Sequence, residues 1–339
     1  MSLKVLILGI NGFIGSTLLE QALKAKTDWR FIGLDISDNK VTDFLTNPRV
    51  QFKQGDLNQE IVWIEEQVQH CDVVLPLVAI ATPAIYVKDP LAIFELDFEA
   101  NLRIIRLCVK HKKRVIFPST SEVYGMCTDE EFDEQTSNFV LGPINKPRWI
   151  YSCSKQMMDR VIHAYGLREQ LAYTLFRPFN WMGPKLDDPY NAKPGSSRVV
   201  SQFLGNILRG EAIQLVNGGL QRRTFIDIDD GIEALIKIIA NEKDCASQRI
   251  FNIGNPNNDI SILELAELLI EQIKNYPKYA EKAKQTRLEK VAADNYYGNG
   301  YQDVARRVPA IKNAQKYLGW QPTTGIKTSL KKILDYYCI

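Results

Sequence analysis

Only three histidines, at 70, 111 and 163, occur in 339 residues, and they are scattered along the chain. The six cysteines (71, 108, 127, 153, 245 and 338) show no CxxC spacing, so the sequence carries neither a zinc-site pattern nor a disulfide framework. Charge of one sign is equally lacking. Its 42 basic and 40 acidic residues are interleaved and leave a net charge of +2, which argues against nucleic acid or an anionic membrane as the main partner. Small molecules become the default. There is no 18-residue apolar run, and the chain enters a strand pattern by Leu3 without a basic n-region and an apolar h-region. A reducing cytoplasm is the expected location.

The composition itself is that of a globular protein, 45% hydrophobic and 24% charged, and the length favours one large α/β unit with a smaller lobe. Strand-like runs KVLILG (4–9), FIGLDI (31–36), VQFKQGDL (50–57), DVVLPLVA (72–79), RVIFPST (114–120) and AYTLFRP (172–178) alternate with helix-period segments near 14–25, 91–111 and 149–166. Apolar strands separated by helices predict parallel β-structure covered on both faces, a Rossmann-type doubly wound sheet. From 179 to 224 the pattern breaks into Gly-, Pro- and Asn-containing loops around a helix near 198–209, then resumes with FIDIDDGIEALIKII and a strand at RIFNIG. The tail reads as a helix at 261–274, a polar stretch 276–295, the aromatic loop NYYGNGYQD and a last helix near 324–336. The spacing predicts a nucleotide-binding part at 1–178 plus about 225–254, with an interleaved substrate-binding lobe at about 179–224 plus 255–339.

GINGFIG (9–15) follows a predicted strand and opens a predicted helix, so its glycines allow a tight turn and the helix N-terminus faces a pyrophosphate. The candidate contacts are Gly9, Asn11, Gly12, Phe13, Ile14 and Gly15. Asp35 ends the second strand 20 positions past Gly15 (35 − 15), where a carboxylate hydrogen-bonds ribose hydroxyls and repels a 2′-phosphate. No Arg follows it and Lys40 is the nearest cation, so NAD is expected over NADP. Asp56 in QGDL admits two readings, an adenine contact or a cap before a helix.

Tyr151 and Lys155 lie four apart in YSCSK at the start of a predicted helix, on one face. An ammonium beside a phenol favours the phenolate and makes Tyr a workable base. Thr120 adds a hydroxyl at the carboxyl end of a strand, where open α/β sheets place their chemistry. Glu122, two residues on, has no evident use in a plain dehydrogenase. Arg222 and Arg223 suit a diphosphate grip or a solvated turn; Trp149, Trp181 and Tyr301 suit pocket walls or packing; Cys153 has no matching base and reads as structural.

With LPLVAIATP (75–83), FPSTSEVYGM (117–126), INKPRWIYSCSKQ (144–156), FRPFNWMGP (176–184), GSSR (195–198), NGGLQRRTFIDI (217–228), FNIGNPNN (251–258) and GYQDVARRVP (300–309), these strings give the chain a family likeness over nearly all its length. It resembles an extended short-chain dehydrogenase/reductase, and within that family the UDP-glucuronic acid oxidative decarboxylases, such as the dehydrogenase half of the bifunctional polymyxin-resistance enzyme of Gram-negative bacteria. The resemblance implies NAD contacts at Asp35 and Asp56, with Leu77, Ala79, Thr82, Tyr151 and Lys155 also at the cofactor. It implies UDP-sugar contacts at Ala81, Tyr86, Thr120, Ser121, Arg148, Asn180, Arg223 and Tyr301, and a decarboxylating pair, Glu122 and Arg307. Gln214 stands where that relative has Lys, a departure expected to change nucleotide contacts and not reaction type. Similar apiose/xylose synthases carry Cys at the Ser121 position, so Ser121 argues against ring contraction. The likeness begins at the first strand, so the sequence reads as the dehydrogenase half without a formyltransferase half. UDP-glucuronate is the implied substrate, lipid A modification one implied setting, and a homo-oligomer the expected assembly. A UDP-xylose synthase, a UDP-sugar epimerase or dehydratase, and an NAD-sensing regulator remain as other readings. A guanidinium is effectively always protonated, so Arg307 is expected to bind a carboxylate while a water or Glu122 donates the proton.

Overall fold

In β1 (Lys4–Leu8), Val5 and Ile7 join one apolar cluster while Leu6 and Leu8 join another, so alternate side chains bury the strand on both faces. The same logic organises β2 (Arg30–Asp35), β3 (Val50–Gln54), β4 (Val73–Pro76), β5 (Arg114–Pro118), β6 (Tyr173–Pro178) and an edge strand at Arg249–Ile253. All run parallel in the order Arg249–Ile253, β6, β5, β4, β1, β2, β3. This computed structural model describes residues 2–25, 28–193, 195, 197–298 and 301–339. Ser196 and Gly300, within the GSSR and GYQDVARRVP strings, lie outside the described residues, as does Asn299 of the aromatic loop.

Parallel strands put all their carboxyl ends on one edge of the sheet. Gly9 follows β1, Asp35 closes β2, Leu77–Thr82 follow β4, Ser119–Glu122 follow β5 and Asn180 follows β6, so residues far apart in sequence meet along that edge. A further apolar cluster lies around the helices Val199–Arg209, Ile262–Ile273 and Ile326–Cys338, with Phe203, Leu265 and Leu330 at its centre. Ser261 and Glu264 close a reciprocal cap at the start of the middle helix. No helix among the described residues is long and apolar enough to cross a membrane.

Two segments depart from the sequence expectation. The helix expected near 91–111 is Pro90–Phe94, a π-helical turn at Glu95–Ala100 and an α-helix at Asn101–Lys110, and a separate short helix, Pro83–Lys88, precedes it. The widened turn persists because side chains in it and directly after it take up backbone groups. Asn101 Nδ2 donates to Leu96 O at 2.9 Å and to Val78 O at 3.2 Å, and Asp97 Oδ2 accepts from Ile80 N at 3.0 Å. The polar stretch 276–295 is not featureless: it holds a helix at Ala280–Gln285 and a strand at Leu288–Val291 that pairs in parallel with Ile213–Val216.

The glycine turn is packed tightly enough to test. A Cβ on Gly15 would lie 2.6 Å from Gly9 O and 2.7 Å from Ile10 O, both backbone atoms that cannot rotate away. Gly15→Ala is expected to cost about 1–3 kcal/mol of overpacking. Thermal unfolding should show a midpoint lowered by several degrees; an unchanged midpoint would mean that the turn relaxes freely.

Candidate active site

The glycine turn is fixed from the β2 side by one residue. Asn11 N donates to Asp35 Oδ2 at 2.8 Å, Asn11 Nδ2 donates to Ser37 Oγ at 2.8 Å, and Asn11 Oδ1 accepts from Lys40 N at 2.7 Å. Asp35 also accepts from Ile36 N at 2.8 Å; burial pushes its carboxyl up, and these backbone N–H groups pull it back. Gly9 stands at φ +90°, and a Cβ there would meet Val78 N at 3.1 Å. Such a cradle, with a helix N-terminus beneath it and a carboxylate at its rim, fits a dinucleotide. Lys40 Nζ donates to Lys185 O at 2.9 Å, and its charge still acts on Asp35. Asp56 accepts from Asn58 N at 2.8 Å, so its carboxylate caps the turn before the helix Ile61–His70. Leu77 N donates to Leu8 O at 2.7 Å, fixing the start of the loop that carries Ala79, Ala81 and Thr82.

Tyr151 lies in the first turn of the helix Trp149–Glu169, buried and stacked on Tyr86 at 4.7 Å between ring centroids, 7° from parallel. The Thr120 side chain lies near its hydroxyl and favours loss of the proton. The phenol is not poised as the four-residue spacing to Lys155 implies. Burial, then the charges of Asp97 and Glu122, push it well above its ordinary value, and the Thr120 and Arg307 contributions do not offset them. The Lys155 ammonium is engaged elsewhere: Nζ donates to Pro118 O at 3.1 Å and stands 3.5 Å from Asp97 Oδ1, with the Tyr151 ring centroid 5.9 Å away. Asp97 was not foreseen from the sequence, because its segment reads as ordinary helix.

Glu122 sits on the 3₁₀ turn Ser121–Tyr124, whose start Thr120 caps by accepting from Glu122 N at 3.2 Å. Its carboxylate is gripped by Arg148 Nη2 and by Arg307 Nη2, the latter at 2.8 Å. Burial would raise this carboxyl, but Arg148 and Arg307 overcome it and hold it at about 2. Glu122 therefore stands as an anion near neutrality between the two guanidiniums. Arg307 is buried, and its Nη1 lies 3.5 Å from Ser121 Oγ; Arg306 beside it is exposed and pairs with Asp259. Arg148 is fully buried, donates to Gln302 O at 2.9 Å, and has its guanidinium 4.4 Å from the Trp149 ring centroid and 5.2 Å from that of Tyr301.

A cleft opens from Glu122 and Arg307 toward the second lobe, lined by Asn180, Gln214, Arg223, Phe225 and Tyr301. Arg223 is buried and tied to Val304 O at 2.7 Å and to Asp303. Asp303 and Tyr297, which also line the cleft, were not picked out from the sequence; Tyr297 stacks on Tyr301 at 4.0 Å. The strand Arg222–Thr224 turns Arg222 the other way, to Asp259 and Glu264, so this arginine is spent on ion pairs outside the cleft. Trp149 donates to Gln302 Oε1 at 2.9 Å, and Trp181, at the edge of the cleft, to Ile253 O at 3.0 Å. Cys153 is exposed.

Comparison with known proteins bears on this arrangement. Residues 5–254 match the model of the NAD dependent epimerase/dehydratase family. The PbgP3 protein from Burkholderia pseudomallei is 52% identical, with a TM-score of 0.90 over 100% of this chain and 97% of that one. The UDP-glucose 4-epimerase of Thermotoga maritima, 24% identical, shares the fold with a TM-score of 0.78 over 99% of this chain and 98% of its own. So does the UDP-glucuronic acid 4-epimerase of Bacillus cereus, solved with UDP-glucuronic acid and NAD, at 21% identity, a TM-score of 0.79 and 99% coverage of each chain.

The charge state of Glu122 sets a pH dependence. Its carboxyl drops from an ordinary 4.5 to about 2 on folding, so the stability it contributes is fully present above about 4.5 and is lost as pH falls toward 2. Glu122→Gln leaves Arg148 and Arg307 facing each other without a carboxylate, a loss of about 3–5 kcal/mol by the usual cost of breaking a buried pair. Denaturant titrations at several pH values should show the gap between wild type and Glu122→Gln wide at pH 7 and closing between pH 4.5 and 2. A gap independent of pH would overturn the assignment.

Proposed function

The chain belongs to the NAD dependent epimerase/dehydratase family, and from that premise we propose that it oxidises UDP-glucuronate at the 4-position and decarboxylates it to a UDP-4-keto-pentose, with NADH as a product. Membership makes it an NAD-dependent oxidoreductase with NAD as cofactor. The observation that carries the finer reading is the pairing of Arg307 with Glu122 at 2.8 Å beside Thr120 and Tyr151. Groups that oxidise a hydroxyl then stand next to a guanidinium that suits a carboxylate on the neighbouring carbon. The 52% identity with the PbgP3 protein and the strings of the decarboxylase-like resemblance support the same reading.

Bound NAD supplies a hydride acceptor and a positively charged ring that favours the Tyr151 phenolate. Tyr151 takes the proton of the 4-hydroxyl, with Thr120 holding the oxygen. The ketone so formed lies β to the 5-carboxylate; the bond to the carboxyl carbon breaks, its electron pair enters an enolate, and carbon dioxide leaves. Arg307 binds that carboxylate before it departs. Glu122, fixed as an anion at about 2, balances and aims Arg307 and Arg148, and a water returns the proton to the enolate carbon. In the same proposal Arg223, Gln214, Asn180 and Tyr301 hold the nucleotide, Ala81, Tyr86 and Ser121 line the sugar, residues 1–178 with 225–254 bind NAD, and the enzyme works as a homo-oligomer.

Incubating the pure protein with NAD and several UDP-sugars, and weighing the products, tests the reaction. UDP-glucuronate should lose the mass of carbon dioxide and two hydrogens with stoichiometric NADH. A product that keeps its carboxylate would sink the reading, and loss of carbon dioxide without NADH would identify re-reduction of the ketone. Tyr151→Phe should abolish NADH formation and leave UDP-glucuronate binding within a few-fold, because the phenol moves a proton and adds little ground-state affinity. Equal losses of rate and binding would make Tyr151 structural. Arg307→Met keeps much of the stem but cannot bind a carboxylate, so carbon dioxide release should fall at least a hundredfold with UDP affinity within a few-fold. Near-normal release would exclude Arg307 from the decarboxylating step.

A further inference from the structure

One buried amide joins the segments that carry Glu122 and Arg307 and has no part in the reaction just described. Asn252 sits in the edge strand Arg249–Ile253 and is fully buried. Asparagine is disfavoured in strands, and a buried amide is kept where its hydrogen bonds are met. Here they are met on every side. Its Oδ1 accepts from the Tyr124 hydroxyl at 2.8 Å, and its Nδ2 donates to Phe132 O at 2.7 Å and to Ala310 O at 3.1 Å. Its backbone N–H donates to Oε1 of the buried Glu134 at 2.8 Å, since a sheet edge leaves such groups to be satisfied from outside. The three side-chain bonds reach three segments. Tyr124 ends the 3₁₀ turn that carries Glu122, Phe132 belongs to the loop after that turn, and Ala310 lies three residues past Arg307. The loop and the tail also pair directly: Phe132 N donates to Val308 O at 2.7 Å, and Ala310 N to Phe132 O at 2.9 Å.

We propose that Asn252, supported by Glu134, is a positioning residue for the decarboxylating pair: it ties the turn that presents Glu122 to the tail that presents Arg307, and so fixes where the Arg307 guanidinium stands. Ion pairing alone does not give that position. A guanidinium on a long flexible stem follows a carboxylate through many geometries when its backbone is free, and through few when the backbone is held on both sides. Upstream, Arg222 N donates to Ala305 O at 2.9 Å, and Thr224 Oγ1 donates to Arg307 O at 3.3 Å. Downstream, Asn252 and Phe132 hold residues 308–310, and Pro309 packs so closely that a Cβ on Gly254 would lie 2.8 Å from its Cγ. Arg307 is thus the middle of a clamped run. The other end of the tie is equally firm. Tyr124 packs on Phe132 with ring centroids 4.9 Å apart, and its hydroxyl accepts from Arg177 Nη1 at 2.8 Å while donating to Asn252.

This role rests on the proposed decarboxylation, but one arm of its test needs neither substrate nor turnover. Asn252→Ala removes the three side-chain ties. Glu134→Ala leaves them and removes only the support of Asn252 N, so it keeps the test open should the first variant fail to fold. Hydrogen exchange read by mass spectrometry follows the clamp directly. Residues 303–311 should exchange at least about tenfold faster in Asn252→Ala, and by a smaller factor in Glu134→Ala, with β1 and β4 unchanged. With UDP-glucuronate, kcat for carbon dioxide release should fall at least about tenfold while affinity for UDP stays within about twofold, and Glu134→Gln, which keeps an acceptor for Asn252 N, should recover most of the Glu134→Ala loss. Because the effect passes through Arg307, adding Asn252→Ala to Arg307→Met should lower release by less than about twofold more. Unchanged exchange at 303–311 in a folded variant, UDP affinity lost in proportion to rate, or full additivity with Arg307→Met would overturn the proposal. Absence of carbon dioxide release by the wild type would sink the proposed reaction, while exchange at 303–311 would still decide whether Asn252 holds the tail.

Discussion

The carboxylate of Glu122, held between the guanidiniums of Arg148 and Arg307, is the interaction on which the site depends. Its three members come from the turn after β5, the start of the helix Trp149–Glu169 and the tail beyond residue 301. Each segment also buries apolar side chains, Val123 and Tyr124 in the first, Trp149 in the second, Val304 and Val308 in the third, so the ion pairs set direction among segments that packing brings close. Charges taken out of water are stable only when paired and fully hydrogen-bonded, so each buried guanidinium requires the carboxylate, and the carboxylate in turn draws the tail across the sheet edge. Gln302, accepting from both Arg148 and Trp149, extends the same knot. The cleft is therefore closed on one side by electrostatics and on the other by the packed helices around Phe203 and Leu265.

A second constraint works on the cofactor side. The sheet gives a row of strand ends, but a row of ends is not a site until the loops that follow them are stiff. Asn11 supplies that stiffness at β1 and β2, because its backbone and both polar atoms of its side chain are used at once. Asp97 and Asn101 supply it at β4. Both anchors are short polar side chains satisfied by backbone groups, which suits positions where a loop must hold its shape close to a ligand.

Much of this was legible from the sequence where periodicity is strong. The alternation of apolar strands with helices gave the parallel sheet, because a strand buried on both faces has no polar alternative. The glycine turn and Tyr151 with Lys155 stand out because their spacing is short. What the sequence hid was direction. Arg222 and Arg223 look equivalent, yet adjacent residues of a strand face opposite ways, and only Arg223 enters the cleft. Arg306 and Arg307 differ in the same manner, one exposed and one buried. The π-helical turn was invisible because one extra residue per turn barely disturbs helical periodicity, and Asp97 was overlooked with it. The strand Leu288–Val291 reads as a polar stretch because it lies at the surface and satisfies its backbone against Ile213–Val216.

These features also bear on why one fold serves several reactions. The Bacillus cereus neighbour is named for epimerising UDP-glucuronic acid, which keeps the carboxylate. A 4-keto sugar acid loses carbon dioxide only when the bond to the carboxyl carbon stands across the plane of the ketone, where its electrons can flow into the carbonyl. With the bond in that plane the acid survives. On the proposed reading the difference between the two outcomes is therefore one of orientation, and it falls to whichever group fixes the carboxylate. Arg307 cannot swing freely: burial, Glu122 and Ser121 Oγ determine its direction. Glu122 is held as an anion, because two guanidiniums keep its carboxyl at about 2. A rigid cation aimed by a permanent anion is suited to holding a substrate carboxylate at one fixed angle, and a carboxyl poised near neutrality would not be. On the proposed reading the low value at Glu122 serves the geometry of the decarboxylating step, and a water supplies the proton there.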